Sequence, residues 1–381
     1  FFRNVRFYDK PKYEWDSATY SPLIAPLEVF AWQNQPDKPK DAKPPWDGRE
    51  YAMTVREHSA KPMDTHLLIR GNAGRPSKKV EPEFLKVLAK AKPAIAKSPN
   101  PFTTGRRLAL AKWIASPGHP LTARVMVNRI WQFHFGRGLV ATPNDFGKAG
   151  KPCANPALLD WLAAEFVDGG WSIKHMHRVI VNSEAYRRTS WQNPMNQNAD
   201  PGNELVWRQN LRRLEAEAIR DGMLSVSGKL NLKMGGRGFD FFNQRGGLSD
   251  YVPKQTFDAD GWRRMIYAHK VRMQSVDIFG AFDCPDAGQM KPRRTRSITP
   301  VQSLSLLNSP FANRQAAFFA ERVKREAGDD SSAQIERAFR LACARAPKPS
   351  ERDALQRLAN RHGLPQACRV LFNSSAFLYL Q

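Results

Sequence analysis

The sequence has no apolar run near the roughly 18 residues a membrane helix needs, and its four cysteines stand far apart. Cys153, Cys284, Cys343 and Cys368 form no C-x-x-C pair, no C-x-x-C-H haem-attachment site and no zinc-ligand spacing. No metal site and no haem are therefore expected in this chain. An oxidising compartment would permit disulfides, with Cys343 and Cys368 nearest in sequence, and free thiols fit the spacing equally. A Walker loop, a G-x-S-x-G elbow and an H-E-x-x-H helix are all missing, which removes the best-marked nucleotide, serine-hydrolase and zinc-protease chemistries. Gly235, Gly236 and Gly238 follow no clear strand, so they make no dinucleotide fingerprint. The chain opens on Phe1 without a basic leader and apolar run, as a fragment or processed form would.

Acidic residues are scarce too. Against 36 Asp and Glu stand 59 Lys and Arg, a formal charge of +23 over 381 residues. An excess of that size points to a polyanionic partner, an anionic surface, or a solvated basic exterior. The basic residues are spread through the helical patterns rather than gathered in a tail, which counts against nucleic acid.

Residues 1–101 read as an extended arm rich in Pro and Lys, lying on the rest, with strand-like content at residues 51–56 and 65–70. From residue 102 to 381 the period becomes helical. Thr103 or Thr104 caps a first helix, Pro120 takes the first position of the second, and Gly136 stops it. Asn155-Pro156 and Ser172 start the next two, whose Leu158, Leu159, Leu162, Phe166, Met176 and Ile180 fall on buried faces. Residues 192–203 read as a loop, 214–226 as a helix, and the glycines at 235–238 and 246–247 as a mobile loop. Residues 262–273 fit either a helix or an edge strand, with a strand or a short irregular element preferred. Thr299-Pro300 opens a long helix bent at Pro310, and three further helices close a bundle, one with a Ser350/Asp353 capping box. The fold class is mainly α: a multi-helix globular bundle with an extended Pro-rich N-terminal arm and a few short strands.

Several polar groupings are candidates for function. Glu217 and Asp221 stand one helical turn apart, a spacing at which two carboxylates can act as acid and base; Arg213 four residues before Glu217 offers an ion-pair ladder instead. Asp283 and Asp286 in the FDCPD stretch precede Arg293, Arg294 and Arg296. Aspartates there can accept sugar hydroxyls, bind Ca²⁺ or serve catalysis, and guanidinium forks can clamp carboxylate or sulfate. A loop pinned by Asp–Arg salt bridges accounts for the same residues. Asn128, Arg129 and Trp131, with Asp145, form a second polar grouping, in which Asp145 is expected to bond its own turn. His175 and His177 face different sides of one helix and cannot chelate together, and His134 reads as a core or helix-end histidine.

The stretches LTARVMVNRIWQFHFGRGLVATPNDFG, LLDWLAAEFVDGGWSIKHMHRVIVNSEAYR, LRRLEAEAIRDGMLSVSGKL, FDCPD, RRTRSITPVQSLSLLN and LFNSSAFLYL follow one another in this order. Together they resemble the C-terminal domain of the planctomycete cytochrome C domain-containing proteins, a family of unknown molecular function. The resemblance covers most of residues 103–381. It implies an exported, extracytoplasmic protein whose haem c sits only in an upstream module, that module being a partner within the same chain. It also implies a small residue where Cys284 stands, and it carries over no catalytic residue. The resulting expectation is an accessory or binding domain for an anionic, possibly sulfated, polysaccharide or cell-envelope polymer, with the ten Trp as candidate stacking platforms. A carbohydrate-active oxidoreductase or hydrolase coupled to the cytochrome is the alternative, and nucleic-acid binding the third.

Overall fold

A computed structural model describes residues 61, 64–89, 92–96, 103–236, 238–246, 250–254, 257, 259–269, 280–285 and 290–380. The strand expected at residues 51–56 and the Pro-rich part of the arm lie outside them. The chain divides into two compact units, Phe1–Ser116 and Pro117–Gln381.

In the first unit, β1 (Thr65–Leu68) pairs antiparallel with β2 (Pro76–Val80), joined through a 3-10 turn at Ile69–Gly71. α1 (Arg106–Ile114) starts at Gly105, not at a threonine cap. Gly105 has φ 76°, and a Cβ there would meet the Ala96 carbonyl oxygen at 2.6 Å, so only glycine fits that entry. Trp113 of α1 stacks on Phe84 at 4.5 Å, and Arg106 reaches Glu81. Those contacts hold α1 within the first unit.

The second unit holds two apolar cores. Around the first lie α2 (Thr122–Phe135), α3 (Pro156–Asp168) and α4 (Ile173–Val181), burying Val127, Ile130, Leu162, Phe166, Met176 and Ile180. α2 begins two residues after Pro120, because the His119 ring accepts the Leu121 and Thr122 N–H groups at 3.2 and 3.1 Å and supplies the cap. Asn155 and Ser172 cap α3 and α4 as expected, accepting from Leu158 N at 3.0 Å and His175 N at 3.2 Å. Residues 192–203 are not wholly loop: Asn193 caps the short α5 (Pro194–Ala199).

The second core gathers α6 (Ala216–Val226), α7 (Pro300–Asn308), α8 (Pro310–Ala327), α9 (Ser331–Cys343), α10 (Pro349–His362), α11 (Leu364–Phe372) and α12 (Ser375–Leu378). Ile219, Met223, Leu306, Phe319, Val323, Ile335 and Phe372 meet there with Phe239, Phe241 and Met265. Pro310 breaks the expected long helix outright rather than bending it. Ser309 turns extended and its side chain accepts the Ala312 N–H at 3.4 Å, so α8 starts afresh with Pro310 at its first position. The α10 capping interaction sits earlier than expected, with Glu351 accepting the Lys348 N–H at 2.7 Å.

Arg212–Arg213 form β3, paired antiparallel with β6 (Tyr379–Leu380), and β4 (Phe242–Gly246) pairs with β5 (Asp250–Pro253). Residues 260–269 are irregular, two 3-10 turns with single bridges from Arg263 to Asn231 and from Ala268 to Phe239. Residues 270–273 lie outside the described set. Among the described residues every sheet has two strands, so the fold is mainly α. No helix among them is long and apolar enough to cross a membrane.

Candidate functional site

The site grows from the junction of β3 and α6. Arg213 lies on the strand, and the chain turns extended at Glu215 before α6 begins. Arg213 and Glu217 therefore never share a helical face, and the ladder between them does not form. Arg213 is buried and donates to Asp283 Oδ2 at 2.7 Å and to the Ser297 carbonyl. Asp283 also accepts from the Ser297 N–H and hydroxyl, each at 2.8 Å. Burial pushes its carboxyl up, and the Ser297 and Arg213 bonds outweigh that and hold it low. Asp283 thus pins its loop to the irregular segment before α7. That is the salt-bridged loop rather than a free acid. Asp286 lies outside the described residues.

With Arg213 so used, Glu217 is met from the far end of the arginine run. Arg294 clamps it with both terminal nitrogens, at 2.6 and 2.9 Å, while its Nε approaches Glu215 at 3.4 Å. Cys284 Sγ lies 3.6 Å from Glu217 Oε1. Burial raises the Glu217 carboxyl, and the Arg294 bonds, a backbone N–H and the Arg294 charge more than reverse this, leaving it below its ordinary value. Asp221, one turn on, behaves oppositely. Burial raises its carboxyl, helped by the Glu217 charge, despite the Met265 N–H at 2.8 Å and Arg220 and Arg264 nearby. A hollow of about 540 Å³ brings Glu217, Asp221, Arg264, Cys284 and Arg294 together. Asp283 is not on its wall.

A second hollow, about 600 Å³, shares Glu215, Pro285 and Arg294 with the first. It is a basic groove between the C-terminal end of α2 (Gln132, Phe133, Gly136) and the irregular segment carrying Lys291, Arg293, Arg294 and Arg296. Among the described residues, Lys291, Arg293 and Arg296 make no ion pair, whereas Arg294 is taken up by Glu215 and Glu217. Glu215 is the groove's sole lining carboxylate in the described set. Phe133 stands 65% exposed on its wall. Gln132 donates to the Pro292 carbonyl at 3.1 Å, tying the arginine segment to α2, and leaves its own buried Oε1 without a partner. Arg212 enters from below, donating to the Phe133 carbonyl at 2.6 Å and closing the end of α2.

The other expected groupings serve the scaffold. Asn128 is fully buried and mimics a strand partner, its amide bonding both the N–H and the C=O of Val140 at 2.9 and 3.1 Å. Trp131 packs in the core against Phe135, ring centres 4.1 Å apart, and is no stacking platform. Arg129 reaches Asn144 at 3.0 Å, and Asp145 bonds the Gly147 N–H of its own turn at 2.9 Å. His175 and His177 do part: His175 meets Glu165 at 2.5 Å, and His177 meets His134 at 2.8 Å. Burial first, then the charges of His177 and Arg212, lower His134 to about 4. The four cysteines are unbridged, and burial raises Cys368 to about 12. No group of three or more His, Cys, Asp or Glu among the described residues is arranged to hold a metal ion.

Sequence reasoning reached Arg293, Arg294 and Arg296 and the Glu217–Asp221 pair. It missed Arg212, Phe133, Gly136 and Lys291, which are joined to them only by the fold. The fold and site together define a mainly α protein with a basic groove beside an acidic hollow. Residues 106–359 match PSD1, described as a protein of unknown function (DUF1553), and the chain belongs to that family. No curated protein and no solved structure matches the chain.

Proposed function

We propose that this domain binds an anionic polysaccharide in the groove of α2 and residues 291–296. One observation carries the reading: three of the groove's four cations make no ion pair among the described residues, beside an exposed aromatic ring. Salt-bridged basic surfaces need no ligand, whereas unpaired guanidinium groups lining a concave wall are suited to oxyanions. Phe133 offers the flat face on which a sugar ring packs. The sequence resemblance adds the setting: an exported protein in which an upstream c-type cytochrome module accompanies this domain. The test is a titration of the chain against a sulfated polysaccharide, its desulfated form and duplex DNA, at low and moderate salt. Preference for the sulfated glycan that survives moderate salt supports the reading. Equal binding to all three that vanishes with salt reduces the charge to a nonspecific field.

A second reading, carbohydrate cleavage or oxidation, has its own support in Asp221. A raised carboxyl beside an ionised one is the usual division between acid and base. Against it stands the Arg294 clamp, which occupies Glu217. In this reading Asp221 donates the proton, and an anionic substrate that drew Arg294 into the groove would release Glu217 as the base.

A further inference from the structure

We propose that Arg212 and Arg296, converging over Gly136, form a discrete site for one tetrahedral oxyanion, a sulfate or phosphate group. The site deepens the groove-binding reading and rests on it for the polymer that carries that group. The geometry comes from opposite sides of the fold. A Cβ placed on Gly136 would lie 2.9 Å from Arg212 Cδ and 3.7 Å from a terminal nitrogen of Arg296. Two guanidinium-bearing side chains thus approach one point on a backbone that has no side chain of its own. Gly136 has φ 83°, so the left-handed turn that ends α2 also keeps this floor open.

A scaffold role accounts for Arg212 but not for its neighbour. Arg212 donates to Phe133 O and so closes the α2 C-terminus, where a positive charge is favoured. That single bond leaves its other guanidinium donors for a ligand. Arg296 has no hydrogen bond or ion pair among the described residues, and it stands close enough to depress Arg212. Burial first, and the Arg296 charge second, lower Arg212 below its ordinary value. The Glu215 charge offsets this only in part, and like charges brought together are relieved further by an anion between them.

The number of forks selects the chemistry. A planar carboxylate is satisfied by one guanidinium fork, whereas a tetrahedral group presents further oxygens to a second fork from another direction. Lys291 and Arg293 line the same groove, as does Glu215, whose charge also acts on Arg212.

The test is calorimetric titration of inorganic sulfate, phosphate and acetate into the full chain, with ionic strength held constant by chloride. Wild type, Arg296→Gln and Arg293→Gln are compared, and a sulfated polysaccharide is titrated in parallel. Expected is one saturable tetrahedral anion per chain, acetate binding weaker, and a loss of about tenfold or more in Arg296→Gln. Arg293→Gln, an exposed cation of the same groove, is expected to lose under about threefold. Equal losses in the two variants, acetate matching sulfate, or no saturable sulfate binding would overturn the site. Sulfate binding lost in Arg296→Gln while wild type ignores every polysaccharide would uphold the site and sink the polymer reading. Polysaccharide binding by a wild type that shows no saturable sulfate binding would do the reverse. Both replaced side chains are exposed, so the variants keep the fold.

Discussion

Replacing Glu217 and Arg294 by Gln, singly and together, measures how firmly the wall between the two hollows is locked. Both side chains are 30% exposed and joined by two charge-assisted bonds of 2.6 and 2.9 Å. Fully exposed pairs couple by less than about 1 kcal/mol, and hydrogen bonds to charged groups contribute about 1.5–3 kcal/mol when water is excluded. A third-exposed bidentate pair falls between, so the coupling in a double-mutant cycle should be about 1.5 kcal/mol. Urea denaturation of the four proteins at neutral pH reads it directly. The pH dependence adds a second check. Glu217 lies below its ordinary 4.5 in the fold, so its stabilisation is present above that value and lost as pH falls through the lower folded value. Asp221 lies above its ordinary 3.8, so its contribution is present below that and lost as pH rises through the folded value. Asp221→Asn should therefore gain on wild type as pH rises through that window, and Glu217→Gln should lose ground as pH rises through its own. A neutral-pH coupling under about 0.5 kcal/mol, or one that survives full protonation of Glu217, would refute the clamp as described.

Asn128→Ala should destabilise the chain by about 3 kcal/mol, since it orphans a buried N–H and a buried C=O of Val140 at once; a loss below about 1 kcal/mol in urea would mean that water replaces the amide. Asp221→Asn should abolish any glycan turnover found for the wild type while leaving groove binding unchanged, and a fully active variant would remove Asp221 as the proton donor.

Much of the fold could be read from local chemistry because its punctuation is local. Asn155-Pro156 and Ser172 cap what they precede, and the buried stripes of α3 and α4 keep helical spacing. The misreadings share one cause, a partner that composition does not reveal. Pro120 has the right identity for a helix start, yet the His119 ring caps a helix that begins two residues later, at Thr122. Pro310 fits a kinked helix equally well, and only the extended backbone of Ser309 makes it a new start.

The site was readable in its residue types and unreadable in its pairings. An i,i+4 rule joins Arg213 to Glu217 only while both are helical. Two residues of extended backbone between them hand Arg213 to Asp283, 70 positions on, and Glu217 to Arg294, 77 positions on. Once these pairs are formed, the charge excess is no longer spread evenly along the arginine run. Arg294 is neutralised, Arg293 and Arg296 are not, and the unpaired charge faces Phe133 and Gly136 on a helix 160 positions earlier in the chain. The net charge of +23 records an excess of cations without locating it. What locates it is the subtraction of each cation that already has a carboxylate, and that subtraction needs the fold.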